Sequence, residues 1–504
     1  MSEKSLREIR IEKLEEMKSL GVDPFQIERF DISHSAKELH SFFTDEDNSP
    51  FEGKTVSYAG RIRSMRFMGK AAFMDISDGE DRFQIYLRQD DLKPIEWEAS
   101  KLLDTGDHIG VQGELFRTKT GEPSIHVRHI TPLSKAIEPP PLGKEKDGHI
   151  FYGLGDIEQR YRHRHIDLMA NQEVRQTLLN RSRIVSAIRR YFDDIGYLEM
   201  ETPLLQTVAG GAAARPFITH YNAYEIDVKL RISLELYLKR IICGDVPKVY
   251  EIGRVFRNEG VSNRHNPEFT MLEFYESYAN LEDMMTRVEE LFRYVIMKVF
   301  GKSEVVFDDA VIDFGKPWQR VDLVSEIERY SGIKKNELTE LSDARKAMER
   351  VGLPTEKEHN LGGIIEKLLE HFVEPHLQQP TFVTGYPLET SPLAKKDRNN
   401  PGYVRRFEGY VRGRELCNAF SEINDPIDQR ERFEAQIVER EKGDEEAHPM
   451  DEEFLFALET GMPPTGGVGI GIDRMCMLLT GCDQIREILL FPMMKPEKPH
   501  DIQE

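Results

Sequence analysis

Residues 248–278 read KVYEIGRVFRNEGVSNRHNPEFTMLEFYESY, and the pattern of this stretch constrains the rest of the chain. Apolar and polar residues alternate through Val249, Glu251, Gly253, Val255 and Arg257, and again from Phe269 to Tyr275. A connection rich in Gly, Asn and Pro lies between, so the spacing predicts two strands joined by a polar loop. Strand side chains repeat every two residues. That places Arg257 and Glu259 on one face of the first strand, and Phe269, Met271, Glu273 and Tyr275 on one face of the second. One hairpin thereby gathers a guanidinium, two carboxylates, an aromatic plate and a phenol. Most charges on a strand pair simply face water. Here they sit among large apolar residues, which weakens the reading of a merely solvated hairpin.

Working outward, a chain of 504 residues can bury more than one core and divides into roughly two to four domains. With 39% hydrophobic and 31% charged residues, its composition is that of an ordinary soluble protein. No apolar run is long enough to span a bilayer and no amino-terminal signal is evident, so a cytoplasmic location is expected. Cys243, Cys417, Cys476 and Cys482 form no metal-binding spacing and read as reduced thiols. A net charge of -21 argues against a nonspecific nucleic-acid coat. Charge is uneven, however: bases outnumber acids over 54–90 and over 158–190, while acids dominate 431–453.

The chain opens with Leu6, Ile9, Arg10, Leu14, Met17 and Leu20 at helical spacing, stopped by Gly21. From Thr55 to Ser134 the pattern becomes short alternating strands: TVSYAGRI, AAFMDISD, RFQIYLR, HIGVQGELFR and SIHVRHITPL. Five strands in about 80 residues suit the small oligonucleotide-binding (OB) barrel. Within it, Arg61, Arg63, Arg66, Phe67, Phe73, Phe83, Gln84 and Tyr86 interleave bases with aromatics, the mixture that stacks unpaired bases and neutralises phosphates. The same residues also fit a barrel filled by its aromatics and solubilised by its arginines. A Pro-rich link at 137–141 precedes the domain boundary, giving domains at 1–145 and 146–504.

In the second domain a long helix is expected over Glu173–Ile195, then a strand, Tyr197 to Met200, leading to Pro203, and a helix ending at Gly244. Residues 281–375 read as mainly helical, inserted structure. Strands resume at 381–384, and YVRRFEGYVRGRELCNAFSEIND reads as a second hairpin turning near Arg412 and Gly413. Asn418, Phe420 and Glu422 share one face of it, but Glu415 has the wrong parity. Glu415 joins them only at the turn end or beside a bulge. The last motif, GGVGIGIDRMCMLLTG at 466–481, lacks the strand–helix–strand context of a dinucleotide site. It reads as a glycine-lined strand that lets a ligand approach, followed by a helix starting near Asp473 and carrying Arg474.

FRNE with RHNPEF on a hairpin, GIGIDR on a strand entering a helix, and a helix–strand–Pro203 unit together resemble motifs two, three and one of the class II aminoacyl-tRNA synthetases. The likeness covers nearly the whole chain and implies an α+β fold, with an OB-fold barrel ahead of an antiparallel catalytic sheet flanked by helices. The stretches ARPFITHYNAYEIDVKLRISLELYLKR, YPLETSPLAK, GRELCNAFSEIND and RFMGKAAFMDISD resemble the lysyl group in particular, within the aspartyl, asparaginyl and lysyl subgroup.

The resemblance implies roles. Arg257 would grip the α-phosphate and the amino-acid carboxylate, and Arg474 the γ-phosphate. Phe269 would stack on adenine, with Glu259 and His265 placing the rest of the ATP. Glu408 and Glu415 match the carboxylates that hold Mg2+ against the triphosphate. Glu235 would receive the α-ammonium of lysine and Glu273 and Tyr275 its ε-ammonium, with Glu422 nearby and Asn418 and Phe420 lining the pocket. Arg66, Phe73 and Gln84 match positions that read a uridine-rich anticodon. The expected function is ligation of lysine to tRNA(Lys) by a homodimer. The rivals are a ligase that puts lysine on a protein, disfavoured by the barrel, and a non-catalytic RNA-binding regulator, disfavoured by the intact set of charged residues.

Overall fold

The computed structural model describes residues 4–43, 53–142, 144–146, 149–151, 154–355, 360–442 and 447–497, which fall into two compact units, 1–175 and 176–504. In the first unit, strands β1 (Thr55–Met68), β2 (Ala71–Ser77), β3 (Arg82–Arg88), β4 (His108–Arg117) and β5 (Pro123–Ser134) close into a barrel in the order β1-β2-β3-β5-β4. Alternation explains the closure. Val56, Tyr58, Met74, Ile76, Phe83, Ile85, Ile109, Val111, Ile125 and Val127 all point inward and are buried in one cluster. Helix α1 (Leu6–Ser19) begins at a Ser5–Glu8 capping box and buries Leu14 and Met17.

The second unit is built on an eight-stranded sheet. Its strands are β6 (Leu198–Glu199), β7 (Lys248–Phe256), β8 (Glu268–Ser277), β9 (Gln319–Asp322), β10 (Thr381–Thr384), β11 (Arg406–Val411), β12 (Arg414–Ser421) and β13 (Thr465–Gly471). They lie in the order β9-β10-β11-β12-β13-β8-β7-β6, antiparallel except at the two edges, where β9 runs parallel to β10 and β6 to β7. The opening hairpin is therefore β7 and β8, paired from Lys248–Glu276 to Phe256–Glu268, and β13 continues the sheet beside β8.

The two faces of β8 divide the labour. Leu272 and Phe274 enter a core shared with helices α2 (Gln172–Asp194), α4 (Leu281–Phe300) and α6 (Ile472–Thr480). Phe269, Met271, Glu273 and Tyr275 turn to the opposite face, where helix α3 (Glu235–Cys243) packs.

One local reading needs correction and two gain detail. β7 ends at Phe256, so Arg257 and Glu259 lie in the loop beyond it, although the Arg257 amide still donates to Pro267 O at 2.9 Å. Residues 281–375 are mainly helical, and a hairpin of Glu304–Phe307 with Ala310–Asp313 and the edge strand β9 lie among the helices. Four-residue strands are too short to show a period of two. In the barrel, Phe83 is core, and Arg61 and Arg63 donate to the backbone oxygens of Gly106 and Met169 rather than standing free.

Candidate active site

Above β8, β12 and β13 lies a cavity of about 500 Å³. Glu235, Arg257, Glu259, His265, Phe269, Glu273, Tyr275, Glu415, Asn418, Phe420, Glu422 and Arg474 all border it. Glycine makes the floor possible. A Cβ on Gly467 would lie 2.2 Å from Glu422 Oε1 and 2.4 Å from the Tyr275 ring, so only glycine lets those two side chains approach the strand.

At one end the cavity is acidic and dry. Glu273 Oε1 accepts from Ser233 Oγ and the Leu234 amide, both at 3.0 Å, and its Oε2 accepts from the Tyr275 hydroxyl at 3.0 Å. Burial and the neighbouring Glu235 charge outweigh those hydrogen bonds and push the Glu273 carboxyl up to about 7. The same face of β7 supplies Glu251, directly opposite Glu273. Glu251 is neutralised by Arg231, whose Nη1 lies 2.6 Å from Glu251 Oε1. Glu235 opens α3, and Glu422 follows β12; both are buried, and Glu422 Oε1 has no hydrogen-bond partner. Burial raises the carboxyls of Glu235 and Glu422 as well.

At the other end the charges alternate in sign. The Arg257 guanidinium lies over the Phe269 ring at 5.1 Å. Arg474 Nη1 donates to Glu415 Oε2 at 2.9 Å and to its backbone oxygen at 3.0 Å. His265 Nδ1 is 2.8 Å from Ser262 Oγ, and burial with Arg474 lowers its basicity. Asp473 is spent on structure: it accepts from the Thr270 amide at 2.8 Å and from Arg181 at 2.6 Å, locking the start of α6 to β8.

A register shift answers the parity of Glu415. On β11 and β12, Gly409 pairs with Cys417 but Tyr410 pairs with Glu415, so Leu416 is bulged out. Paired residues share a face, and Glu415 therefore rejoins the side that carries Glu408 and Asn418.

Glu408 stands apart from the others. It does not border the cavity; Tyr386 and Tyr410 donate to its Oε2 at 2.8 and 2.6 Å and Arg406 to its Oε1 at 2.6 Å. Close by, burial and then the charges of Glu408, Glu370 and Glu415 push the Glu374 carboxyl up to about 7. Both oxygens of Glu408 are thus engaged, whereas Glu415 borders the cavity and Glu374 lines the smaller pocket next to it, so oxygen donors of the kind a divalent cation takes gather here with Glu408 behind them. Among the described residues no three His, Cys, Asp or Glu side chains form a metal cage.

On the barrel, Arg66 pairs with Phe73 and Phe73 with Tyr86, all on the outer face, and Gln84 stands two residues before Tyr86 on that same face. Phe73 and Tyr86 lie 4.9 Å apart, and Tyr86 is 5.8 Å from Phe116. Gln84 Oε1 accepts from Ser124 at 2.9 Å.

Lys239, Arg231, Ser233 and Glu251 escaped the sequence reading as site residues, whereas Gly467 belongs to the glycine-lined strand it singled out. Glu251 had a signal, since it shares the strand parity of Arg257; Lys239 reads locally as an ordinary helix-surface partner of Glu235.

Two family models match the chain. Residues 156–495 match the model for class II tRNA synthetases (D, K and N). This chain belongs to that family. Residues 56–133 match the OB-fold nucleic acid binding domain. A lysine–tRNA ligase of Thermoanaerobacter sp. (strain X514) is 49% identical over 98% of this chain and 96% of its own length. The lysine–tRNA ligase of Moorella thermoacetica is 48% identical over 99% of both chains. That of Syntrophomonas wolfei is 48% identical over 97% of both. No helix among the described residues is long and apolar enough to cross a membrane.

Proposed function

We propose that this synthetase is a lysine–tRNA ligase that activates L-lysine with ATP, releases pyrophosphate and transfers lysine to the 3′-terminal ribose of tRNA(Lys). One observation carries the choice of amino acid: Glu235, Glu273 and Glu422 converge, buried, on one end of the cavity. A substrate with a carboxylate side chain would be repelled there, and burying it unpaired costs several kcal/mol. Lysine brings two ammonium groups instead.

Activation follows from the placement of the remaining groups. Glu235 takes the α-ammonium, and Glu273 with the Tyr275 hydroxyl takes the ε-ammonium beside Glu422, while Asn418 and Phe420 line the aliphatic stem. Phe269 stacks on adenine, Glu259 and His265 position the nucleotide, and Arg257 reaches the substrate carboxylate and the α-phosphate. Arg474, released from Glu415, meets the γ-phosphate. Glu408 and Glu415 would hold Mg2+, which supplies positive charge to the triphosphate as the leaving group separates. A carboxylate nucleophile needs no general base, so alignment and charge stabilisation by Arg257 and Arg474 carry the step. On the barrel, Arg66, Phe73 and Gln84 read the anticodon, Phe73 by stacking.

The Pro203 unit is the proposed homodimer contact. It is supported by exposed apolar residues that cluster in sequence around it, among them Leu198, Leu204, Leu205, Ile218 and Tyr224.

The test is lysine-dependent exchange of pyrophosphate into ATP, followed by charging of tRNA. Both are expected. Absence of exchange would sink the activation step, and exchange without charging would favour a protein-directed ligase.

A further inference from the structure

Lys239 has no task in the steps above, yet its ammonium ends among the carboxylates of the acidic pocket. It lies one turn along α3 from Glu235 and is fully buried, at 0% exposure. Its Nζ is 2.6 Å from Glu235 Oε1 and in contact with Glu422 Oε2. Burial pushes it toward the neutral form, but those two carboxylates outweigh burial and keep it charged.

The other titratable groups around it bring no charge. His448 is held down to about 4 by burial and by Lys239, and burial raises the Cys243 thiol and the Tyr275 phenol. The Phe454 ring lies 5.8 Å from Nζ. Two cations act on the pocket only from a distance: Arg406, paired with Glu408, on Glu235, and Lys395, hydrogen-bonded to Asn424, on Glu422.

We propose that Lys239 is a resident counter-ion that sets the charge the pocket accepts. Glu235, Glu273 and Glu422 carry three negative charges when ionised, Lys239 cancels one, and two remain for the α- and ε-ammonium groups of a dibasic amino acid. An amino acid with a neutral side chain leaves one buried carboxylate unpaired and is rejected for that reason. Lys239 is thus a positioning residue: it favours the ionised forms of Glu235 and Glu422 against the effect of burial and keeps both carboxylates in place without touching substrate. This rests on the reading of the acidic pocket as the lysine site.

The test is the pH profile of kcat/KM for lysine in pyrophosphate exchange, with KM for ATP measured alongside. Lys239→Met removes the charge at similar length. The acidic limb of the profile is expected to move up by about one unit or more, so that kcat/KM for lysine falls about threefold or more at pH 7.5 and recovers as the pH is raised, with KM for ATP within about threefold of wild type. Lys239→Arg should leave the limb where it was. Adding Glu422→Gln to Lys239→Met removes both partners and should bring the limb back toward its wild-type position. If Lys239→Met does not fold, the comparison is made between Glu422→Gln and the double variant, where the limb again lies higher without the lysine.

An unmoved limb in the charge-removing variants, or parallel losses toward lysine and ATP, would overturn the counter-ion role and leave a packing role. Failure of the lysine-site reading looks different: Glu273→Gln would then leave KM for lysine unchanged.

Discussion

Under the proposed function, Glu273 concentrates the selectivity of the site in a single carboxylate. It accepts three hydrogen bonds and is nevertheless raised to about 7, by burial first and Glu235 second. Because this value lies above the ordinary carboxylate range, the stability linked to the group is present below that range and is lost as pH rises through about 7. Lysine needs the ionised form. Its apparent affinity should therefore fall about tenfold per unit below pH 7, with proton uptake by the free protein and release on binding, as calorimetry in buffers of different ionisation enthalpy would show. Glu273→Gln should raise KM for lysine by roughly 10- to 100-fold and leave KM for ATP within about threefold; equal losses would contradict the assignment. Gly467→Ala is a sharper probe of shape. The new methyl meets Glu422 and Tyr275 at 2.2 and 2.4 Å, so kcat/KM for lysine should drop by at least about tenfold while the fold is retained.

At the scale of elements, the end of β8 is tied to α4, to the start of β7 and to Tyr197, just past α2, through Glu276. Burial pushes that carboxyl up, but hydrogen bonds from Arg287, Tyr197 and Lys248 outweigh it and hold it at about 2. A lowered carboxyl stabilises above its ordinary range and loses that contribution as pH falls toward 2. Glu276→Gln should cost about 2 kcal/mol at neutral pH, allowing for screening on its wet side, and little at pH 2, read by denaturant titration. Much of this architecture was legible from alternation and spacing: the barrel, the β7–β8 hairpin and the glycine strand. The bulge at Leu416 was legible only as one of two conditions on Glu415, because one extra residue changes the register without changing composition. The burial of Lys239 was not legible, since a local i,i+4 pair looks the same whether water or Glu422 lies beyond it. The position of Glu408 behind Tyr386 and Tyr410, off the cavity wall, depends on strand order across 22 residues of sequence separation and has no local signature.

At the scale of the molecule, two tasks fall on two units. Phe73→Ala on the barrel should raise KM for tRNA more than about tenfold and leave lysine-dependent pyrophosphate exchange within about twofold, because loss of one stacked base is worth about 1–3 kcal/mol. Leu205→Glu combined with Ile218→Asp should yield monomers in sedimentation, by placing charge on the exposed apolar residues near Pro203. The glycine strand has a further consequence, for motion. β13 is hydrogen-bonded on both sides, to β8 and to β12, so its amides are shielded although four of its seven residues are glycine. The loop that carries Glu259 and His265 is exposed from Asn258 to His265. Hydrogen exchange should therefore be slowest in the thinnest part of the site and fastest at its rim. Substrate would be admitted by a loosening edge over a floor that opens only when the sheet itself comes apart.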